Sequence, residues 1–111
     1  HSLGGRNSLA IADARSEISI DNLITIDPVG AAGTGSKPGN VENWTNVNAV
    51  PGDRNSSDTI ASIGRAAYGT TNTGGADANV QSNANHGDFG KMMQDANALK
   101  KIEDSYKGLR K

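Results

Sequence analysis

Apolar positions along the chain fall into three unlike stretches. Of the 19 Leu, Ile, Val and Phe residues, nine lie in residues 1–30, six in 31–88 and four in 89–111. The first stretch is dense enough for core elements. Gly4 to about Arg15 (GGRNSLAIADAR) is rich in small residues, with Leu9, Ile11, Ala12 and Ala14 among its apolar positions. That pattern predicts a helix, apolar over much of its circumference, packed close to a sheet. A loop around Asp21-Asn22 leads into Leu23-Ile24-Thr25-Ile26, a short β-branched run that predicts a buried parallel strand. Pro28 has no N–H to extend a ladder, so the strand stops before it. Asp27 therefore falls at a strand's carboxyl end, where open α/β sheets keep their sites.

The middle, residues 31–88, is a plausible strand set among long polar loops. Gly30 to Ser36, followed by Pro38-Gly39, is a loop by composition. It has neither the lysine-serine/threonine ending nor the following helical pattern of a phosphate-binding loop. Val41 to Val50 (VENWTNVNAV) predicts a further strand, turned off by Pro51-Gly52-Asp53. Ser57 to Tyr68 places Ile60, Ile63 and Ala67 at helical spacing, with Ser57 or Asp58 as N-cap, and predicts a helix whose isoleucines are buried. From Gly69 to Gly87 the only aliphatic residue larger than alanine is Val80. So long a structureless stretch in a compact domain is usually functional or mobile. In residues 89–111, Phe89, Met92, Met93, Ala96, Leu99, Ile102 and Tyr106 share one face. They predict an amphipathic helix of about 18 residues, capped by Asp88 and closed by the basic Lys107, Arg110 and Lys111. Its mixed charges favour packing on a sheet over lying on a membrane.

Composition changes this picture in one respect. The chain has 111 residues, and a domain of that size buries roughly two thirds of its unfolded surface. Leu, Ile, Val and Phe make up only about 17% of it, low for a self-sufficient core. The net charge of −1 does not fit outright disorder, so the segment reads as one that shares core with further sequence. The near-neutral balance gives no electrostatic case for nucleic acid. No apolar run approaches the roughly 20 residues of a transmembrane segment. Cysteine is absent, which excludes disulfides and Cys-based zinc sites; it fits an exported protein without requiring export. No cofactor or metal is implied.

The chemistry starts at His1-Ser2-Leu3-Gly4-Gly5. With a glycine in front it would read G-H-S-L-G-G, a form of the G-x-S-x-G elbow that lifts a serine on a strained strand-to-helix turn. Small flanking residues are what let a backbone turn that sharply. A nucleophilic serine needs a base and a carboxylate to orient that base. Of the two histidines, His1 points away from Ser2 across such an elbow and is read as a packing residue, whereas His86 sits in a polar loop before the last helix. The order Ser2, Asp27, His86 matches the Ser…Asp/Glu…His order of α/β-hydrolases.

On the pentapeptide and on Ile24-Thr25-Ile26-Asp27-Pro28, the chain resembles an α/β-hydrolase lipase or esterase. The short gap between Ser2 and Asp27 is similar to that of pancreatic-type lipases, and the Asn-His-Gly-Asp-Phe setting of His86 is similar to bacterial lipase-like proteins, some of them toxins exported against competitors. The resemblance implies a parallel sheet flanked by helices, with residues 1–111 as the C-terminal portion of one domain: 1–30 the elbow helix and acid strand, 31–88 strand and loops, 89–111 the last helix. It implies two-step acyl transfer on a carboxylic ester or lipid, with Ser2 as nucleophile, Asp27 as acid, His86 as base and the Leu3 N–H as an oxyanion-hole donor. Because many relatives carry the acid one strand later, Asp53, Asp58 and Asp77 remain rivals to Asp27. The elbow's leading glycine and strand are not in the sequence, so the resemblance also implies activity only together with an N-terminal remainder. A non-enzymatic alternative stays open: the Gly- and Asn-rich middle as an interaction surface, with Ser2 merely capping the first helix. Ile60, Ile63 and Tyr68 could instead form a lid that meets lipid, though burial is the plainer expectation.

Overall fold

The computed structural model describes residues 1–109, apart from the side chains at 99, 105, 108 and 109. The elements run α1 (Leu3–Ala14), β1 (Ile20–Ile26), β2 (Val41–Ala49), α2 (Ser56–Tyr68), β3 (Ala78–Ser82), α3 (Phe89–Asp95) and α4 (Ala98–Leu109). Together they form a small α/β domain: a three-stranded sheet in the order β1-β2-β3, both pairings parallel, flanked by helices. Ile26 is level with Val47 across the first pairing, and Val47 with Val80 across the second. Each face of the sheet has its own core. On one, Leu9 and Ala12 of α1 meet Leu23, Val41 and Trp44; on the other, Ile26 and Val47 meet Ala84, Met92, Ala96 and Ala98.

Between the strands runs a buried polar seam. Trp44 Nε1 donates to Thr25 Oγ1 (3.0 Å), Thr25 Oγ1 to Asn46 Oδ1 (2.7 Å), and Asn46 Nδ2 to Asn48 and Asn79 (3.0 Å each). Thr25 and Asn46 are completely buried, and pairing satisfies groups that would otherwise cost several kcal/mol to bury.

Four expectations from the sequence are corrected. Asp21 and Asn22 lie inside β1, not in a loop before it, because Ile20 already pairs with Val41. The stretch 69–87 is not structureless: it contains β3, and Ala31, Ala32 and Gly30 are tied to it and to the end of α2 by Ala31 N to Tyr68 O (2.8 Å), Asn72 N to Ala32 O (2.8 Å) and Thr71 Oγ1 to Gly30 O (2.7 Å). A Cβ on Gly75 would lie 2.3 Å from the Ser36 carbonyl carbon, so these glycines allow two loops to touch backbone to backbone. The tail is two helices rather than one, broken at Asn97, whose φ of 54° no α-helix continues. After that break Ile102 and Tyr106 are exposed, while Met92 and Ala96 of the first piece are buried. Asp88 does cap α3, accepting from Lys91 N; the side chain of Leu99, and Arg110 and Lys111, lie outside the described residues.

The fourth correction concerns α2. Its N-cap is Asn55, with Asp58 at the third helical position completing a capping box. Ile60 and Ile63 are not buried; they are 68% and 63% exposed, and Tyr68 is 70% exposed. The helix docks on loops instead of on the sheet, presenting Asp58 and Ala61 inward. It comes so close to Val29 that a Cβ on Gly64 would meet that side chain at 2.9 Å. Among the described residues no helix is long and apolar enough to cross a membrane.

Candidate active site

Ser2 stands at the entrance of α1 with φ 56° and ψ −131°, a region non-glycine residues rarely enter and one that marks stored strain. Backbone bonds impose it. Ser2 N donates to Ile26 O (3.0 Å), and Ser2 O accepts from Val29 N and Gly5 N (3.0 Å each). The turn is thus sewn to the end of β1. Gly5 makes the approach possible, since a Cβ there would lie 3.2 Å from Pro28 Cβ. Although Ser2 occupies the N-cap position, its side chain makes no cap hydrogen bond. Its hydroxyl instead lies 3.0 Å from His86 Nε2.

His86 follows β3 and is 7% exposed. Its Nδ1 lies 2.5 Å from Asp27 Oδ2. An ionised carboxylate can only accept, so Nδ1 carries the proton and Nε2 is left to accept from the Ser2 hydroxyl. Asp27 comes directly after β1, is 3% exposed, and holds a positive φ of 42°. Its Asp27 N–H donates to Val47 O (2.6 Å), which locks the residue to the neighbouring strand. Its second oxygen accepts from Ala49 N (3.1 Å) and pairs with the Arg65 guanidinium at 2.8 Å. The carboxylate therefore has partners on both oxygens, as a buried charge requires.

The rival acids have other work. Asp77 accepts from Trp44 N and from Lys37, which together lower its pKa. Asp53 offers its backbone carbonyl to Asn85 Nδ2 (2.7 Å). Asp58, buried at 4% exposure, takes His86 by the backbone and not by the ring: its Oδ1 accepts from His86 N at 2.8 Å. His1, read from the sequence as a packing residue, packs against His86. Its ring stacks on that of His86, centroids 4.8 Å apart, and its Nε2 donates to the His86 carbonyl oxygen at 2.6 Å.

Leu3 is the first residue of α1, so its N–H belongs to the first helical turn, which has no intrahelical acceptor and carries the positive end of the helix dipole. The ring of Phe89 meets that of His1 edge-on at 5.6 Å. Phe89 also lines a cavity of about 450 Å³ with Gly90, Met93, Gln94, Asn97 and Ala98.

Arg65 is a neighbour that sequence reasoning did not place, and Asp58, named there as an N-cap candidate and a rival acid, stands instead on the His86 backbone N–H. Asp58 carried a usable signal, since Asn55 and Asp58 stand at capping-box spacing. Arg65 carried none: one basic residue in a helix says nothing of a carboxylate 38 residues earlier. Comparison with protein-family models, with curated proteins and with solved structures returns no match to this chain.

Proposed function

We propose that this chain carries the nucleophile, acid and base of a serine ester hydrolase of the α/β-hydrolase type. The observation that carries the reading is the unbroken chain Ser2 Oγ–His86 Nε2 (3.0 Å) and His86 Nδ1–Asp27 Oδ2 (2.5 Å), built at a strained serine turn. In the first step Ser2 Oγ bonds to the ester carbonyl carbon while its proton passes to His86 Nε2. The tetrahedral oxyanion forms beside the α1 N-terminus, where the Leu3 N–H donates to it. Collapse breaks the bond to the alcohol, which takes the proton from His86. Water then repeats the sequence on the acyl-serine and releases the acid, restoring the Ser2 hydroxyl. Asp27 keeps the imidazole in the tautomer that leaves Nε2 free and steadies the imidazolium while it exists. Thioester and peptide carbonyls suit the same groups. The apolar cavity beginning at Phe89 supports an ester with an apolar acyl or alcohol part, such as a lipid.

The proposed activity needs the N-terminal remainder, so the test is a fluorophosphonate probe on the full-length protein. Labelling is expected to fall to background in Ser2→Ala and by about 10³–10⁴-fold in rate in Asp27→Asn, where the wrong imidazole tautomer is favoured. The exposed Ile60–Ile63–Tyr68 face of α2 supports a second reading, a non-enzymatic interaction module; labelling that ignores Ser2→Ala would favour it.

A further inference from the structure

Every hydrogen-bonding group of His86 is held by a different residue. The ring nitrogens go to Asp27 and Ser2, the backbone N–H to Asp58 Oδ1 (2.8 Å) and the backbone carbonyl to His1 Nε2 (2.6 Å). The first two contacts are the acyl-transfer machinery; the last two do nothing for a reaction directly. A buried carboxylate spent on one loop amide is costly unless that loop has to be held. Asp58 holds it thoroughly. Its other oxygen accepts from Asn85 Nδ2 (2.6 Å) and from Asn55 N (2.9 Å), so a single side chain ties the N-terminus of α2 to two consecutive residues of the loop. Ser57 adds a third tie, its Oγ accepting from Gly87 N at 3.0 Å.

We propose that Asp58 and His1 are positioning residues that clamp the His86 backbone, at its N–H and its carbonyl, so that Asp58 aims the base at Ser2 besides capping α2. The proposal rests on the serine hydrolase reading. The backbone clamp fixes where the imidazole starts, and the Asp27 carboxylate fixes how it is turned. A loop released on one side lets the ring drift by fractions of an ångström, and misplacement of that size is what costs rate in a preorganised site. His1 adds a face-on contact to the imidazole, and its own ring is braced edge-on by Phe89.

The two roles of Asp58, capping a helix and aiming a base, separate by comparing Asp58→Asn with Asn55→Ala. Asp58→Asn keeps the shape but leaves one acceptor oxygen for three donors. Asn55→Ala removes the N-cap side chain of the same helix and leaves both backbone contacts to His86 in place. Three readouts are needed: the rate of fluorophosphonate labelling, kcat and KM on a short nitrophenyl ester, and the low-field proton resonance of the His86 Nδ1–H bond to Asp27. Asp58→Asn is expected to slow labelling and kcat about ten- to hundredfold with KM unchanged, and to broaden that resonance. His1→Phe, which keeps an aromatic ring but loses the donor, is expected to slow labelling about tenfold. Asn55→Ala is expected to lower the melting temperature and leave labelling and the resonance as they are. Unchanged labelling in a folded Asp58→Asn, or equal losses in Asp58→Asn and Asn55→Ala, would overturn the clamp. Absence of any labelling in the unsubstituted full-length protein would instead overturn the hydrolase reading beneath it, and is seen before any variant is made.

Discussion

A methyl group on Gly5 would press on Pro28 at 3.2 Å, whereas one on Gly4 would meet nothing within 4 Å. These adjacent glycines of the same turn therefore have separate roles. Gly4→Ala is expected to be neutral or to stabilise by up to about 1 kcal/mol through helix propensity. Gly5→Val should cost about 1–3 kcal/mol by overpacking, and should slow Ser2 labelling because the strained turn is seated through Gly5; urea midpoints and labelling rates check both. At this scale much of the candidate site was legible. Ser2, Asp27 and His86, which the structure brings together, were singled out by the elbow pentapeptide, by the strand end before Pro28 and by the chain's having only two histidines. His1 and Asp58 were singled out too, but not for their contacts with the backbone of His86. A contact to a main-chain atom places no constraint on the type of its partner, so the capping-box spacing of Asp58 said nothing of His86.

Helix α2 shows why elements were harder to read than residues. Periodicity marks the apolar face of a helix as the buried one, and that inference holds for α1, which lies on the sheet with Leu9 and Ala12 inward. It inverts in α2, which lies on loops. The loops present N–H groups and a carboxylate, so the inward groups are Asp58 and Arg65, and the isoleucines face out. Strand β3 was hidden for a related reason: apart from Val80 opposite Val47 it carries small and polar residues, with Asn79 matched to the buried Asn46. The polar inner face of α2 has a consequence for acid stability. The Asn55 N–H first, then the Asn85 side chain, and less strongly the His86 N–H and the nearby Arg54 charge, hold the Asp58 carboxyl down to about 2, against the opposing effect of burial. A carboxylate lowered in the folded state contributes stability that is complete above its unfolded value near 3.9 and is lost as pH falls toward 2. Thermal melts of the unsubstituted protein should therefore drop steeply between about pH 4 and pH 2, and those of Asp58→Asn should start lower at neutral pH and depend less on pH across that window.

For the whole molecule, the α/β class and the parallel pairing were readable because Leu23–Ile26 is a continuous apolar run and Pro28 ends it. Strand count was not readable, since the strength of β3 lies in its partners. The assembled site also sets an order of events. Ser2 and His86 are 84 positions apart in sequence, and Asp27 and His86 are 59 apart. Between them lie two parallel crossovers, each of which closes a long loop before any ladder bond forms. Contacts so distant in sequence form late in folding. Helical signal should thus return first after dilution from urea, with Ser2 labelling competence lagging it; simultaneous recovery of both would contradict this. The four-way hold on His86 then acquires a different meaning. Because its partners come from the first residues, the end of β1 and the start of α2, while His86 itself sits in the loop after β3, the imidazole cannot be aimed in any partly folded chain. On the proposed hydrolase reading, Ser2 stays quiet until the whole fold has closed around it, and a misfolded or nicked copy is silent rather than indiscriminately reactive.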